Sequence, residues 1–304
     1  PEPAEQKPGD TTNQYRFNWD TAMQLSPFDP ATIYIGANLV LKSSDRGRSY
    51  QPISPDLTTN TDRETLSIMG VAGKDIKLAK HDGVTSWGNI VTLEESAAKQ
   101  GVVWVGSDDG VVSVTQDAGK TWTNVTPPDM PEFGRVSQID GSAFDNGTAY
   151  VAVKKMLLGD RNPYIFRSKD YGKTWTKIVN GIAANDYVHT VREDTVRRGM
   201  LYAGTQHGVY LSFDDGAHWQ PLSLTLPDVP VVDLIVVRND VVIATHGRGF
   251  YILDDISALR QFGLQPTSDL TLFKPANATR GLDRPIVTYF LKTQPKSLTV
   301  EFLD

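Results

Sequence analysis

The stretch TQDAGKTW, residues 115–122, occurs in four related copies along the chain. Each copy has a hydroxyl residue, Asp two positions later, Gly two further on and an aromatic residue at its end. The Asp carboxylate can accept hydrogen bonds from the N–H groups that follow it, and Gly adopts a positive φ without steric cost. The motif therefore predicts the tip of a β-hairpin, here called the Asp turn. The Asp, Gly and aromatic positions are Asp45, Gly47 and Tyr50; Asp117, Gly119 and Trp122; Asp170, Gly172 and Trp175; and Asp214, Gly216 and Trp219.

The sequence before each Asp turn repeats as well. Two β-branched and aromatic runs, such as VVWVG and VVSVT, are separated by a polar turn, and a further run such as NIVTLEES comes before them. Such a unit is typical of a four-stranded antiparallel sheet that cannot bury its own faces. Units of this kind pack radially into a β-propeller, and a flat solenoid is the alternative.

The predicted fold class is therefore all-β: a propeller of four-stranded antiparallel blades over residues 15–283, about five of them in this chain. The fifth unit, VVDLIVVRNDVVIATHGRGFYILDD, has the strand pattern but no Asp–Gly–aromatic turn. The predicted blades cover about 15–56, 86–128, 134–181, 186–226 and 229–275.

Three segments fall outside the repeat. Residues 1–14 are rich in Pro and polar residues and are predicted to be a linker or an exposed terminus. Residues 57–85 lengthen the first repeat beyond the roughly 40–50 residues of one blade and are predicted to be an inserted loop. Residues 284–304 are predicted to begin a small C-terminal β-sandwich domain, which needs about 100 residues. We therefore expect further sequence, including further blades, on either side.

Composition excludes several classes of function. The net charge of −6 argues against a nucleic-acid surface, which needs an excess of Lys and Arg. The chain has no cysteine, hence no disulfide, thiolate metal site or thiol nucleophile. Apolar runs are too short for a membrane-spanning helix, which needs about 20 residues. The sequence predicts no cofactor and no metal site.

The Asp turns resemble the Asp-box, or BNR, repeat of sialidases, two-propeller xyloglucanases, sortilin-type receptors and photosystem II assembly factors. Three longer stretches are similar to the C-terminal half of large sortilin-like bacterial proteins, which are often labelled glycosyl hydrolases. This resemblance implies export to the periplasm, cell surface or exterior, and a protein or peptide partner. The stretches are FNWDTAMQLSPFDPATIYIGANLVLKSSDRGRSYQPISPDLTTN, IMGVAGKDIKLAKHDGV and THGRGFYILDDI.

Candidate ligand-binding residues follow from blade geometry. In a propeller, the turn between the second and third strands opens on the face opposite the Asp turns, beside the connections between blades. His207 and His246 occupy matching places there, each followed by Gly, and the two together could bind a metal with Asp108 or Asp109. No compact ligand spacing supports such a site. The candidates on this face are Asn38, His81, Asp108, Asp109, Gln206, His207, His246 and Arg248.

Glycoside hydrolysis would need two carboxylates across a cleft. Glu94, Asp108 and Asp109 are the candidates, but acidic residues occupy 36 of 304 positions, so their presence alone discriminates little. Glu193 and Asp194 are expected to lie in a solvated turn on the Asp-turn side. The three arginines and the tyrosine of sialidases, and the xyloglucanase carboxylate motifs, are not recognisable.

Three functions fit these observations. We favour a non-catalytic binding or scaffold module that presents loops to a protein, peptide or glycan. The second hypothesis is a glycoside hydrolase of the Asp-box type acting on a β-glucan. The third is an accessory or assembly subunit of a larger complex.

Overall fold

The computed structural model describes residues 15–68, 70–77, 87–222, 224–263, 269–275 and 286–301. Within these residues, four sheets of four antiparallel strands follow one another along the chain, which confirms the predicted all-β fold built from propeller blades. The first blade contains β1 (Met23–Leu25), β2 (Ile33–Gly36), β3 (Val40–Ser43) and β4 (Gln51–Pro52). The predicted insertion contains β5 (Ser67–Ile68) and β6 (Val71–Ala72), with short 3-10 helices at Arg63–Thr65 and Gly73–Asp75.

The next three sheets have the same strand order as the first. The second blade contains β7 (Ile90–Glu95), β8 (Val103–Ser107), β9 (Val112–Thr115) and β10 (Thr123–Asn124). The third contains β11 (Arg135–Gly141), β12 (Ala149–Lys155), a 3-10 helix (Met156–Leu158), β13 (Asp160–Ser168) and β14 (Thr176–Lys177). The fourth contains β15 (Val188–Glu193), β16 (Leu201–Thr205), β17 (Gly208–Ser212) and β18 (Gln220–Pro221).

Each Asp turn joins the third and fourth strands of its blade through a closed set of hydrogen bonds. In the second blade, Asp117 accepts from the N–H of Thr121 at 2.9 Å and from its hydroxyl at 2.7 Å. The hydroxyl of Thr115 donates to Asp117 at 2.8 Å and accepts from the N–H of Gly119 at 2.9 Å. Ala118 and Gly119 both have positive φ, 62° and 93°, a conformation that Gly adopts freely.

The Asp turns also join neighbouring blades. The indole N–H of Trp219 donates to the carbonyl of Ile178 in the preceding blade at 2.8 Å. Trp122 and Trp175 make the same bond to the preceding blade at 2.9 and 2.7 Å. Gly216 packs so closely on Ile178 that an added Cβ would lie 2.4 Å from its side chain. The repeated motif therefore stabilises the packing of one blade on the next as well as its own turn.

Apolar clusters fill the spaces between successive sheets. Trp104 on β8 is fully buried and packs in one cluster with Val136 and Val151 of the third blade. Its ring also meets Trp175 edge-on, with ring centroids 6.3 Å apart. Because both faces of an interior blade are covered in this way, β8 and β9 are buried along their whole length.

The fifth sheet differs from the predicted four-stranded blade. It has three strands, β19 (Val231–Val237), β20 (Asp240–Thr245) and β21 (Gly249–Leu253), followed by the short helix α1 (Ser257–Gln261). The physical reason is visible in the sequence, since this unit lacks the Asp turn that returns the chain to a fourth strand. The remaining pair, β22 (Leu270–Leu272) and β23 (Tyr289–Leu291), is antiparallel and links residues on the two sides of the boundary predicted near 283.

No helix among the described residues is long and apolar enough to cross a membrane. The domain boundaries proposed from the sequence stay a prediction.

Candidate ligand-binding face

The antiparallel strand order places the second-to-third-strand turns of every sheet on one side, together with the connections between blades. This side is called the loop face, and the opposite side, which carries the Asp turns, the Asp-turn face. The loop-face turns are residues 37–39, 108–111, 156–159, 206–207 and 246–248.

Asn38 lies on the loop face but is buried. Its side-chain oxygen accepts from the N–H of Arg16 at 3.0 Å, and its amide donates to Asp56 at 2.9 Å. Arg16 in turn donates to Asp56 at 2.9 Å and to the carbonyl of Gly88 at 3.2 Å. Asn38 therefore fastens the segment that leads into β1.

Asp108 is only 7% exposed, although the sequence nominated it to meet a ligand or to act in catalysis. Its carboxylate accepts from the N–H groups of Gly88 and Asn89 at 2.9 and 2.8 Å and from the side chain of Asn18 at 2.8 Å. These bonds leave the carboxylate engaged on both oxygens. A buried charge satisfied in this way positions chain segments and is costly to remove.

Asp109 is used in the same manner. It is buried, and it accepts from the N–H and the hydroxyl of Thr59 at 2.8 and 2.6 Å. The first residues of the predicted insertion are therefore tied to the second blade at the loop face. Sequence reasoning located these two carboxylates in the correct turn but missed their partners, which lie about 20–90 residues away.

The fourth blade brings a second group of predicted residues together. Gln206 accepts from the hydroxyl of Tyr187 at 2.5 Å, and its oxygen lies 3.5 Å from Nε2 of His189. The rings of Tyr187 and His189 are in contact, with centroids 5.0 Å apart. His207 points elsewhere and pairs with Asp228 at 2.8 Å, while Arg248 is exposed.

His189 was not nominated from the sequence, yet it lies at the centre of this group. Burial lowers its pKa to about 4, and the nearby positive charges of Lys154 and His246 act in the same direction. Burial also lowers the pKa of Lys154. The imidazole of His189 is therefore neutral at neutral pH.

Large apolar side chains are exposed on the same face. Trp19 is 89% exposed, and Leu157 and Leu158 at the tip of the third blade are 84% and 60% exposed. The segment that carries Trp19 is held across the face, since Asp20 accepts from Arg135 at 2.6 Å. The signal for the leucines was present in the sequence, as MLL stands where a polar turn is expected.

A row of polar residues lies on the first strands, and only Glu94 among them was nominated from the sequence. Gln24, Glu94, Asp140 and Arg192 occupy the same register position in four successive blades, each opposite an aromatic residue of the second strand. An alignment of the sequences of the four first strands would have shown a polar residue at this position in every blade.

Arg192 joins this row across the blades. Its guanidinium lies 3.1 Å from Asp140, 3.9 Å from Glu94 and 3.7 Å from Asp233 of the fifth sheet, and its Nε donates to the carbonyl of Leu234 at 3.2 Å. Burial raises the pKa of Glu94 well above its usual range, and the charge of Asp140 adds to the effect. Burial raises the pKa of Asp140 as well. Arg192 is thus the counterion for more than one buried carboxylate.

The expectation of a solvated turn at Glu193 and Asp194 is wrong. Both side chains are buried. Asp194 accepts from Arg260 of α1 at 2.9 Å, and Glu193 accepts from the N–H of Gly199 at 2.8 Å. Each carboxylate has a partner supplied by the fold, which a count of polar residues does not show.

His81, a predicted ligand-face residue, lies outside the described residues. Among those the structure describes, no three His, Asp or Glu side chains converge to hold a metal ion, and the two histidines His207 and His246 have different neighbours.

Comparison with known proteins identifies the architecture. A family model described as the BNR-Asp box repeat matches residues 165–178, which span the third Asp turn. The fold is similar to that of a GH74 xyloglucanase from Xanthomonas campestris, with a TM-score of 0.55 and 18% identity, covering 77% of this chain and 36% of that one. It is also similar to the extracellular domain of BT4673 from B. thetaiotaomicron, with a TM-score of 0.49 and 16% identity, covering 76% and 26%. YCF48 bound to D1 peptide has a TM-score of 0.48 and 14% identity, covering 93% and 78%. No curated protein matches the sequence significantly.

The chain is thus a BNR, or Asp-box, repeat β-propeller, as the repeated turns predicted. At 18% identity, the likeness to the xyloglucanase shows the fold alone. The chain spans about a third of the xyloglucanase.

Proposed function

We propose that the chain is a non-catalytic binding or scaffold module of an exported bacterial protein, and that its loop face holds a protein or peptide partner. The observation that carries this proposal is the exposure of Trp19, Leu157 and Leu158 on that face. Asp108 and Asp109, nominated there for catalysis, are occupied by internal hydrogen bonds. Exposed apolar side chains on a rigid scaffold are typical of partner-binding surfaces.

The test uses wild-type chain to select peptides from a displayed random library, followed by titration of a selected peptide. The double variant Leu157→Ser, Leu158→Ser should bind at least about tenfold more weakly, since each buried leucine contributes about 1.5–3 kcal/mol. Val196→Ser is the matched control, because Val196 is 63% exposed on the Asp-turn face.

Equal affinity for the wild type and the double variant would reject the leucines as the contact. Selection of no peptide, together with glycan binding that the double variant loses, would move the proposal to a carbohydrate partner. An accessory role in a larger complex would use the same surface.

A glycoside hydrolase is the second candidate, and one observation favours it. Glu94 and Asp140 share the counterion Arg192, and the pKa of Glu94 is raised by burial. Paired carboxylates in unequal surroundings are suited to acid–base work. Sugar release from β-glucan or xyloglucan that is lost in Glu94→Gln would support this activity, whereas no release by the wild type would reject it.

We further propose that additional blades, from the same polypeptide or another chain, pack on the two ends of this array. Met23 and Leu25 at one end, and Phe250 and Ile252 at the other, are at least 60% exposed. In interior blades the matching positions, Leu93 and Glu95 on β7 and Val209 and Leu211 on β17, are buried. Sedimentation velocity over a range of concentrations tests whether a second copy of this chain supplies the blades. A strictly monomeric chain would exclude self-association as the way these faces are covered.

A further inference from the structure

One loop motif occurs twice on the Asp-turn face, as SPFDPAT at 26–32 and SAFDNGT at 142–148. Each copy connects the first and second strands of its blade. In both copies the N–H of the first Ser donates to the carbonyl of the last Thr at 3.0 Å. The two loops therefore share a backbone arrangement, and their side chains can be compared position by position.

In the first copy the motif is closed on itself. One oxygen of Asp29 accepts from the N–H of Ala31 at 3.0 Å, and the other accepts from the hydroxyl of Thr32 at 2.8 Å. Both carboxylate oxygens of Asp29 and the hydroxyl of Thr32 are thus hydrogen-bonded within the loop.

In the second copy the bond to the threonine is absent. Asp145 accepts from the N–H of Gly147 at 2.9 Å, as its counterpart does, but its other oxygen accepts from Arg198 of the fourth blade at 3.1 Å. Thr148 is 4% exposed, and its hydroxyl has no hydrogen-bond partner in the described part of the chain. Leaving a buried hydroxyl unpaired costs free energy, and such a group in a folded protein commonly pairs with a bound water or ion.

A cavity of about 220 Å³ lies between the third and fourth blades, and Thr148 is part of its lining. Thr148, Tyr150, Lys169, Arg198 and Asp215 are among the residues that line it, and we call it the Thr148 cavity. Its one lining carboxylate is already neutralised, because Asp215 lies 2.6 Å from the ammonium of Lys169 and accepts from the hydroxyl of Tyr150 at 2.6 Å.

The surrounding charge is more positive than at the matching place between the first two blades. Aligned on the Asp turns, Lys169 corresponds to Ser44 and Asp215 to Ala118. Aligned on the Gly that follows, Arg198 corresponds to Gln100. All three corresponding residues between the first two blades are therefore uncharged.

Among the described residues, the cations around the Thr148 cavity are Arg167, Lys169 and Arg198. Arg167 also pairs with Asp215 at 2.9 Å, and Arg198 pairs with Asp145. Glu193 lies next to this group, and burial raises the pKa of its carboxyl.

We propose that the Thr148 cavity binds a small oxyanion group, a carboxylate or a phosphate, through Lys169, Arg198 and the hydroxyl of Thr148. The side chains of Lys169 and Arg198 are 57% and 60% exposed, and each has more N–H groups than its single carboxylate partner uses. Charge-assisted hydrogen bonds from these donors, with the hydroxyl as a third, match the acceptors of an oxyanion. The bound group supplies the partner that Thr148 lacks.

The experiment is calorimetric titration of the 304-residue chain with inorganic phosphate and, separately, with acetate, each against chloride at equal ionic strength. Thr148→Val and Arg198→Gln should each weaken binding about tenfold or more, since a hydrogen bond to a charged group is worth roughly that factor. Binding of phosphate, of acetate or of both identifies which oxyanion the site accepts.

Two matched variants serve as controls. Thr32→Val removes the same hydroxyl from the first copy of the loop, and Lys120→Gln removes an exposed cation from another Asp turn; neither should change the affinity. Because Arg198 is exposed, Arg198→Gln should fold even if a change at Thr148 does not. Absence of saturable binding by the wild type, or an equal loss in Lys120→Gln, would overturn the proposal.

Discussion

Replacement of Arg192 by Met should destabilise the folded chain by about 3–5 kcal/mol at pH 7, the cost of removing one partner from a buried ion pair. The side chain of Arg192 is 22% exposed, and those of Glu94 and Asp140 are 16% and 12% exposed, so water can solvate the orphaned carboxylates only in part. Met keeps most of the unbranched aliphatic volume, which limits the contribution of a cavity. Such a loss is a large fraction of the 5–15 kcal/mol typical of a domain.

The destabilisation should shrink as the pH falls. The pKa values of Glu94 and Asp140 are raised in the folded state, so folding favours their protonated forms. A raised acid pKa contributes stability at low pH that is lost as the pH rises through the folded-state value. Without Arg192 the pKa values rise further, and the difference from the wild type should narrow between pH 7 and about 4.5, the ordinary value for Glu.

Urea unfolding followed by tryptophan fluorescence at pH 7 and pH 5 measures both effects. Arg198→Met is the matched control, because its 60% exposed side chain pairs with Asp145 at the surface, where an ion pair is worth about 0–1 kcal/mol. Adding Asp140→Asn to Arg192→Met should restore part of the stability. If Arg192→Met costs no more than Arg198→Met, or if its cost does not depend on pH, Arg192 is not the counterion of buried charges.

Three further predictions concern single side chains. Trp219→Phe should cost about 1–3 kcal/mol in chemical unfolding, because it leaves the carbonyl of Ile178 unpaired at the interface between blades; a variant as stable as the wild type would contradict that role. The contribution of His189 to stability should decrease as the pH falls from 6.5 to about 4, by up to about 3 kcal/mol, because the unfolded chain takes up a proton that buried His189 resists, and His189→Gln should lack this part of the pH dependence in thermal unfolding. Asp117, whose pKa is lowered to about 2 chiefly by the hydroxyl and N–H of Thr121, should contribute stability above pH 4 that is lost as the pH falls through 2, so Asp117→Asn should flatten the acid limb of the same curve.

The blades were predictable because their information is local. An Asp turn closes with residues four positions apart, and the alternation of apolar residues marks the adjacent strands without reference to the rest of the chain. The same locality explains the difference at the fifth sheet. Without an Asp turn after β21 the chain continues into α1 and forms no fourth strand in the described residues.

The candidate site was predictable only as a set of positions on a face. The sequence places Asp108 in a loop-face turn, but its partner Asn18 is 90 residues away, and an unpartnered Asp looks the same in sequence as one that is engaged. Likewise His189 acquires its low pKa from burial and from charges on other strands, so its neighbour Gln206 was nominated and His189 was not.

The repeated unit, the chemistry of its turn and the two faces of each blade can be derived from the sequence alone, because they depend on hydrogen bonds and periodicity within a few residues. Which polar groups are hydrogen-bonded and which are left unpaired depends on how the blades pack. Thr32 and Thr148 end the same motif, yet one is bonded to Asp29 and the other loses Asp145 to Arg198 of the next blade. The difference arises from packing between blades, where partners distant in sequence compete for the same carboxylate oxygen.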